Sequence, residues 1–171
     1  MKTLIIATLW LASCGTRVGY VDPQRAIKQT DEWRTVQAGA TAYAESRQPD
    51  LDKAQAMLAK ARGAKASAEV ILADETEANA LKQQIDAEVK ARLDAGGGKI
   101  GAAMTQTLGQ FAEAQGVSVV LPATGAYWVD PRLDLTTALA KHYDQGKIQR
   151  LEAKVSELEA QHQASPPLAK K

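Results

Sequence analysis

The 171-residue chain has one thiol, Cys14, and the residues around it indicate its chemistry. Leu11-Ala12-Ser13-Cys14 has the form of a bacterial lipobox, with a branched apolar residue and two small residues leading to the cysteine. Upstream, Lys2 gives a positive n-region and Thr3 to Leu11 a short apolar stretch. That stretch is too short to span a bilayer, which takes about 20 residues, and has the make-up of a secretory signal. The chemistry expected is lipidation: a diacylglyceryl thioether on Cys14, removal of residues 1–13, and acylation of the new amine. Ordinary signal cleavage with an unmodified Cys14 is the competing reading. Two or three acyl chains hold a protein on a membrane stably where one is marginal, each buried methylene contributing roughly 0.8 kcal/mol. Residues 14–17 then serve as anchor and linker. Gly15 follows the cysteine, where Asp would point to inner-membrane retention in enteric bacteria, so the outer membrane is favoured.

Little else in the chain can do chemistry. A single Cys excludes a disulfide framework and a Cys-based zinc site, and His142 and His162 are too far apart to promise a metal centre. No nucleophile–base arrangement, phosphate loop or paired-carboxylate cleft can be read. The expectation is a protein that is not an enzyme and takes no metal or cofactor. With 21 basic and 20 acidic residues, no global field draws it to nucleic acid.

Composition points to long helices. Hydrophobic residues make up 45% of the chain, but 32 residues are Ala and only one is Phe. Ala is the best helix former and a poor core filler. Val18 to Asp22 alternates as a short strand, and Asp22-Pro23 opens a helix. Helical character then runs over 24–115. Pro49 breaks it, and Gly96-Gly97-Gly98 interrupts it at a cost of about 3 kcal/mol relative to Ala. Pro49, Gly96, Gly97 and Gly98 are read as a hinge across a helical hairpin, with two unrelated irregularities as the alternative. Asp74-Glu75-Thr76-Glu77 resembles a capping box and places the hairpin tip at 70–76, with Arg62-Gly63-Ala64-Lys65 as the rival turn. Ile100, Met104, Leu108 and Phe111 share one stripe. Val117 to Leu121 and Ala126 to Val129 read as two more strands around a Pro122–Gly125 turn. Asp134 or Thr136 caps a helix to Tyr143. Beyond Gly146, Ile148, Leu151, Val155 and Leu158 step by three, four and three, a two-heptad seam on a separate helix 147–162; residues 163–171 are expected to be disordered.

The fold class is therefore α+β and mostly helical, with three short strands forming a small base under a long helical-hairpin arm. Such a sheet is marginal in one chain, so an oligomer is expected. Val18-Gly-Tyr-Val-Asp-Pro-Gln-Arg-Ala-Ile27 resembles the opening of the Skp/OmpH family of periplasmic chaperones. Gly116-Val-Ser-Val-Val-Leu121 and Gly125-Ala-Tyr-Trp-Val-Asp-Pro-Arg-Leu-Asp-Leu-Thr-Thr137 resemble its closing strands and last helix. The resemblance covers about 18–143. It implies a homotrimer whose arms enclose unfolded outer-membrane proteins without ATP, metal or catalysis. It places Val18, Tyr20, Val117, Val119, Leu121, Tyr127 and Val129 in the oligomer base, and residues 24–115 around the cavity.

The chain departs from the basic members of that family. Residues 24–112 carry 12 basic and 12 acidic side chains, so apolar contact must do more of the client binding. Met57, Leu58, Val70, Ile71 and Leu72 are the candidates, with the seam between the arms as the plainer role for Leu58. Trp33 and Trp128 read as packing residues, and Glu88 and Arg92 as an exposed pair. The expected function is a holdase tethered in the periplasm by its lipid. The alternative is a structural, lipid-anchored coiled-coil spacer of the envelope, which would need neither the strand blocks nor the glycine break.

Overall fold

The computed structural model describes residues 16–124, 126 and 128–164, with side chains as far as 159. The signal segment 1–13, Cys14, Tyr127 and the tail from 165 onward lie outside the described residues. The order of elements is β1 (Val18–Val21), α1 (Pro23–Gln29), α2 (Asp31–Gly63), α3 (Ala68–Gln115), β2 (Val119–Pro122), a 3-10 turn (Pro131–Leu133) and α4 (Thr136–Ala164). The architecture is mostly helical with a two-stranded sheet, as the composition implies.

β1 and β2 pair in parallel, Val18 opposite Val119 and Val21 opposite Pro122. Parallel strands need a crossover rather than a tight turn, and here the crossover is the whole arm. Of the third strand expected at 126–129, the described residues Ala126, Trp128 and Val129 are in no strand. The outer edge of β1 is met instead by the segment before α4: the Leu135 amide donates to the Tyr20 carbonyl (2.8 Å), and Tyr20 bridges to Asp134. The Ala126 amide turns back to the Ala123 carbonyl (3.2 Å), and Trp128 is 75% exposed rather than in a core.

The core lies at the base. Phe111, Ile100, Met104, Ile27, Val21, Leu139 and Tyr143 are buried together, and Trp33 and Leu108 pack against them. The stripe read from α3 is thus the inner face of that helix. Thr30 joins α1 to α2 as the single residue between them. It is fully buried, its hydroxyl donates to the Ile27 carbonyl (2.8 Å), and the same oxygen accepts from the Trp33 amide (3.1 Å). One side chain therefore ends one helix and caps the next.

From the base α2 and α3 run out side by side, about 50 and 72 Å long at 1.5 Å per residue. The seam between them is thin. Beyond the base only Ala40, Ala78 and Ile85 are buried, while Leu51, Leu58, Leu81, Val89 and Leu93 are half-buried. Across it Arg92 stands 4.3 Å over the Tyr43 ring, rather than pairing with Glu88. The tip lies at 64–67, not at 70–76. Asp74 to Glu77 continue α3, and the capping residue is Ser67. Gly63 stays helical, and Lys65 takes the left-handed conformation (φ 53°), with the Ala66 amide reaching back to the Ala61 carbonyl (3.0 Å). The apolar run 70–72 follows the turn too closely to have been the turn itself.

Both expected interruptions of the arm are absent: α2 is helical through Pro49, and α3 through Gly96 to Gly98. A Cβ at Gly96 would come within 2.5 Å of Val36 Cγ1, and one at Gly97 within 3.4 Å of the Trp33 ring. These glycines let two helices touch where the arm leaves the base. They stand beside residues 33–36, not opposite Pro49, which is about 20 Å further along α2. α4 is also one helix, continuous across Gly146, where a boundary between 143 and 147 was expected; it extends to 164, past the expected end of order at 162. A lone Gly costs a helix only about 1 kcal/mol, which the buried Leu139, Ala140 and Tyr143 in the same helix offset.

Gly96 and Gly98 should respond to alanine with opposite signs. Gly96→Ala forces Val36 aside and should lower stability by about 1–3 kcal/mol. Gly98→Ala meets nothing within 4 Å and should raise it by about 0.5–1 kcal/mol. Urea midpoints of the two variants test this, and Val36→Ala should rescue only the first.

Candidate functional site

Among the described residues, exposed apolar side chains gather at the arm tip, beside the sheet at the base and along the distal half of α4. At the arm tip, Met57 on α2 and Val70 and Leu72 on α3 are 50%, 48% and 65% exposed. Leu58 and Ile71, proposed with them from the sequence, are half-buried; Leu58 lines a groove with Leu51 and Ala78. The five candidates thus divide into three exposed and two half-buried residues. Three-and-four spacing alone could not separate them without knowing where the chain turns. Arg62 pairs with Glu75 across the tip at 3.2 Å, and both are exposed. An exposed pair of this kind contributes at most about 1 kcal/mol.

At the base, a cleft of about 160 Å³ opens beside the sheet, lined by Val21, Met104, Leu108, Val120 and Leu121 among others. Of the residues assigned to the base from the sequence, Val18, Tyr20, Val117 and Val129 are half-buried, and Val119 and Leu121 are exposed at 38% and 40%. Tyr127 is outside the described residues.

Polar groups brace the base. The Asp22 amide donates to the buried Thr136 hydroxyl (2.9 Å), tying β1 to the start of α4. Asp134 accepts from the Thr136 amide (3.0 Å) and pairs with Arg25. Hydrogen bonding to Thr136, with Arg25 adding to it, pulls the Asp134 carboxyl down to about 2. On the opposite side Glu32 accepts from the Tyr143 hydroxyl (2.7 Å) and pairs with Lys147 (2.9 Å), clamping α2 to α4. Lys147 and Tyr143 hold the Glu32 carboxyl below its ordinary range. Burial, reinforced by Glu32, raises the Tyr143 phenol to about 12. Burial also pushes up Asp144, which accepts from the Asp31 amide (3.3 Å) and stands near the Asp31 carboxylate. No group of His, Cys, Asp and Glu able to hold a metal occurs among the described residues, and none of their helices is long and apolar enough to cross a membrane.

The sequence reading missed the Thr30 joint, the Glu32 clamp and the packing role of Gly96. The joint had a signal: Thr30-Asp31-Glu32 is a capping residue followed by acidic residues in a helix first turn. The other two depend on which helices touch.

A parallel β–arm–β unit with the start of α4 closing its base lies within residues 17–143, and the outer membrane protein (OmpH-like) family matches that same span. The chain belongs to the OmpH-like family. The family accounts for β1, the arm, β2 and the first quarter of α4, and ends before the exposed apolar steps of that helix. Among solved structures, this OmpH-like chain is similar to a candidate outer-membrane chaperone (OmpH-like) from Caulobacter crescentus CB15. The two share 15% identity over 76% of this chain and 85% of that one, at a TM-score of 0.41. A comparison with curated proteins gave no match.

Asp134 makes the OmpH-like base acid-sensitive. Its folded-state value lies below the 3.8 of an ordinary aspartate. The stabilisation is therefore complete above about pH 4 and lost as pH falls through about 2. Asp134→Asn keeps an oxygen for the Thr136 amide but removes the charge facing Arg25. Its urea midpoint should change less between pH 5 and pH 2 than that of the parent.

Proposed function

We propose that this OmpH-like protein is an ATP-independent holdase of the bacterial periplasm that shelters unfolded outer-membrane and other envelope proteins between the arms of a homotrimer. The observation that carries this reading is the exposure of Met57, Val70 and Leu72 at the tip of arms whose charges balance. Apolar side chains held out on a soft two-helix arm can make many weak, adaptable contacts with an unfolded chain; Met suits this because its side chain is flexible and polarizable. The thin Ala-rich seam gives the arm few buried contacts, the condition for local opening at low free-energy cost. Leu121, which lines the base cleft, and the exposed Val119 and Trp128 are side chains that neighbouring copies would cover. Lipidation at Cys14 would tether the base to a membrane, with the outer membrane favoured, and no nucleic acid, metal or cofactor takes part.

The continuity of α2 and α3 favours a second reading. Because the helices run unbroken through Pro49 and Gly96–Gly98, the arm could also serve as a structural lipid-anchored spacer of the envelope. Client binding separates the two. A urea-unfolded outer-membrane β-barrel protein diluted into buffer should scatter less light when the protein is present at about three chains per client. Substituting Met57, Val70 and Leu72 together by Ser should remove most of that protection and leave helicity unchanged. Full scattering at excess wild-type protein would give the spacer reading.

A further inference from the structure

The distal half of α4 carries an apolar stripe that nothing among the described residues covers. Ile148, Leu151, Val155 and Leu158 are 53%, 55%, 53% and 55% exposed, and they lie beyond residue 143, where the family match ends. Their steps place Ile148 and Val155 at a positions of a heptad and Leu151 and Leu158 at d. Branched residues at a and Leu at d are the pattern of a parallel, few-stranded coiled coil. The flanking charges agree. Lys154 falls at a g position and Glu159 at the e position five residues on. In a parallel pair in register, each Lys154 meets Glu159 of the other helix. In an antiparallel pair the g positions face each other and so do the e positions, setting Lys against Lys and Glu against Glu. Lys147 and Glu152 repeat the relation one heptad earlier, although Lys147 is held by Glu32 of its own chain at 2.9 Å.

We propose that residues 148–158 of α4 are a self-recognition segment that zips in parallel register with the same segment of neighbouring copies of this chain. Two heptads are too short to associate stably by themselves. Here they extend from a helix whose first half is locked into the base by Leu139, Ala140 and Tyr143, without a break at Gly146. Copies gathered at the base would present their seams side by side at high effective concentration. The inference rests on the oligomeric part of the function proposed above and is independent of client binding.

Cysteine cross-linking in the full chain tests it. Leu151→Cys puts identical d positions face to face, and because Leu151 is exposed the substitution leaves the fold of the single chain intact. Ala153→Cys, at the outer f position, is the control, and the parent, with Cys14 alone, sets the background. On oxidation with diamide, Leu151→Cys should form disulfide-linked pairs at least about tenfold faster than Ala153→Cys. Lys154→Glu should slow that reaction severalfold, and adding Glu159→Lys should restore it. Equal rates at 151 and 153 would overturn the proposal. So would faster linkage between Ile148→Cys and Leu158→Cys chains, which reports antiparallel helices. A Leu151→Cys thiol shielded from alkylation but not cross-linked would show another occupant on the stripe and overturn it as well. Sedimentation of the parent separates the failures: an oligomer without seam linkage removes the seam alone, while a monomer removes the trimer too.

Discussion

The structure depends on the parallel pairing of β1 with β2. Two strands in this relation cannot be joined by a turn, so whatever connects them must leave the sheet and return to its starting end. In this chain the connection holds α1, α2 and α3, nearly a hundred residues, and only its two ends meet the core. The arm projects because its middle has almost nothing large to bury. Ala40 and Ala78 fill the space that Leu or Ile would fill in a globule. The core collects where the big side chains are, at Phe111, Ile100 and Met104 on the returning end of α3 and at Leu139 and Tyr143 on α4. A stable end and a compliant end therefore follow from where the large side chains lie along one chain.

The same division explains the electrostatics. Ion pairs on the arm are mostly local, such as Lys82 with Asp86 one turn on, and are exposed on both sides. At the base, ion pairs join elements far apart in sequence, Arg25 with Asp134 and Glu32 with Lys147, and hydrogen bonds from Tyr143 to Glu32 and from the Asp22 amide to Thr136 do the same. Only the second kind constrains the fold, because closing a long loop has an entropy cost that local pairs never meet. A neutral arm and a cross-linked base are the electrostatic counterpart of a thin seam and a dense core.

Much of this was legible in the residues. The inner stripe of α3, the first strand, the Asp22-Pro23 helix start and the low content of large apolar residues all carried through. The pattern was misread where a local rule met a tertiary contact. Gly96 to Gly98 look like a break until Val36 is seen against Gly96 and Trp33 against Gly97. Residues 126–129 have strand character, yet Ala126, Trp128 and Val129 join neither strand, and the outer edge of β1 is met by 134–135 instead. The tip was misplaced because Asp74 to Glu77 offered a more familiar cap than a Lys at positive φ. Exposure of Met57, Val70 and Leu72, as against Leu58 and Ile71, depended on that turn and could not precede it.

Thr30 has a mechanical consequence. It is the sole residue between α1, which belongs to the base, and α2, which forms half the arm. Its hydroxyl bonds both helices, and its backbone is extended (ψ 152°). The bearing of the arm is therefore set at a single pivot about 50 Å from the tip. At that leverage an angular change of about 10° at Thr30 sweeps the far end sideways by about 9 Å. The position of the arm tip is thus governed by a threonine buried in the base.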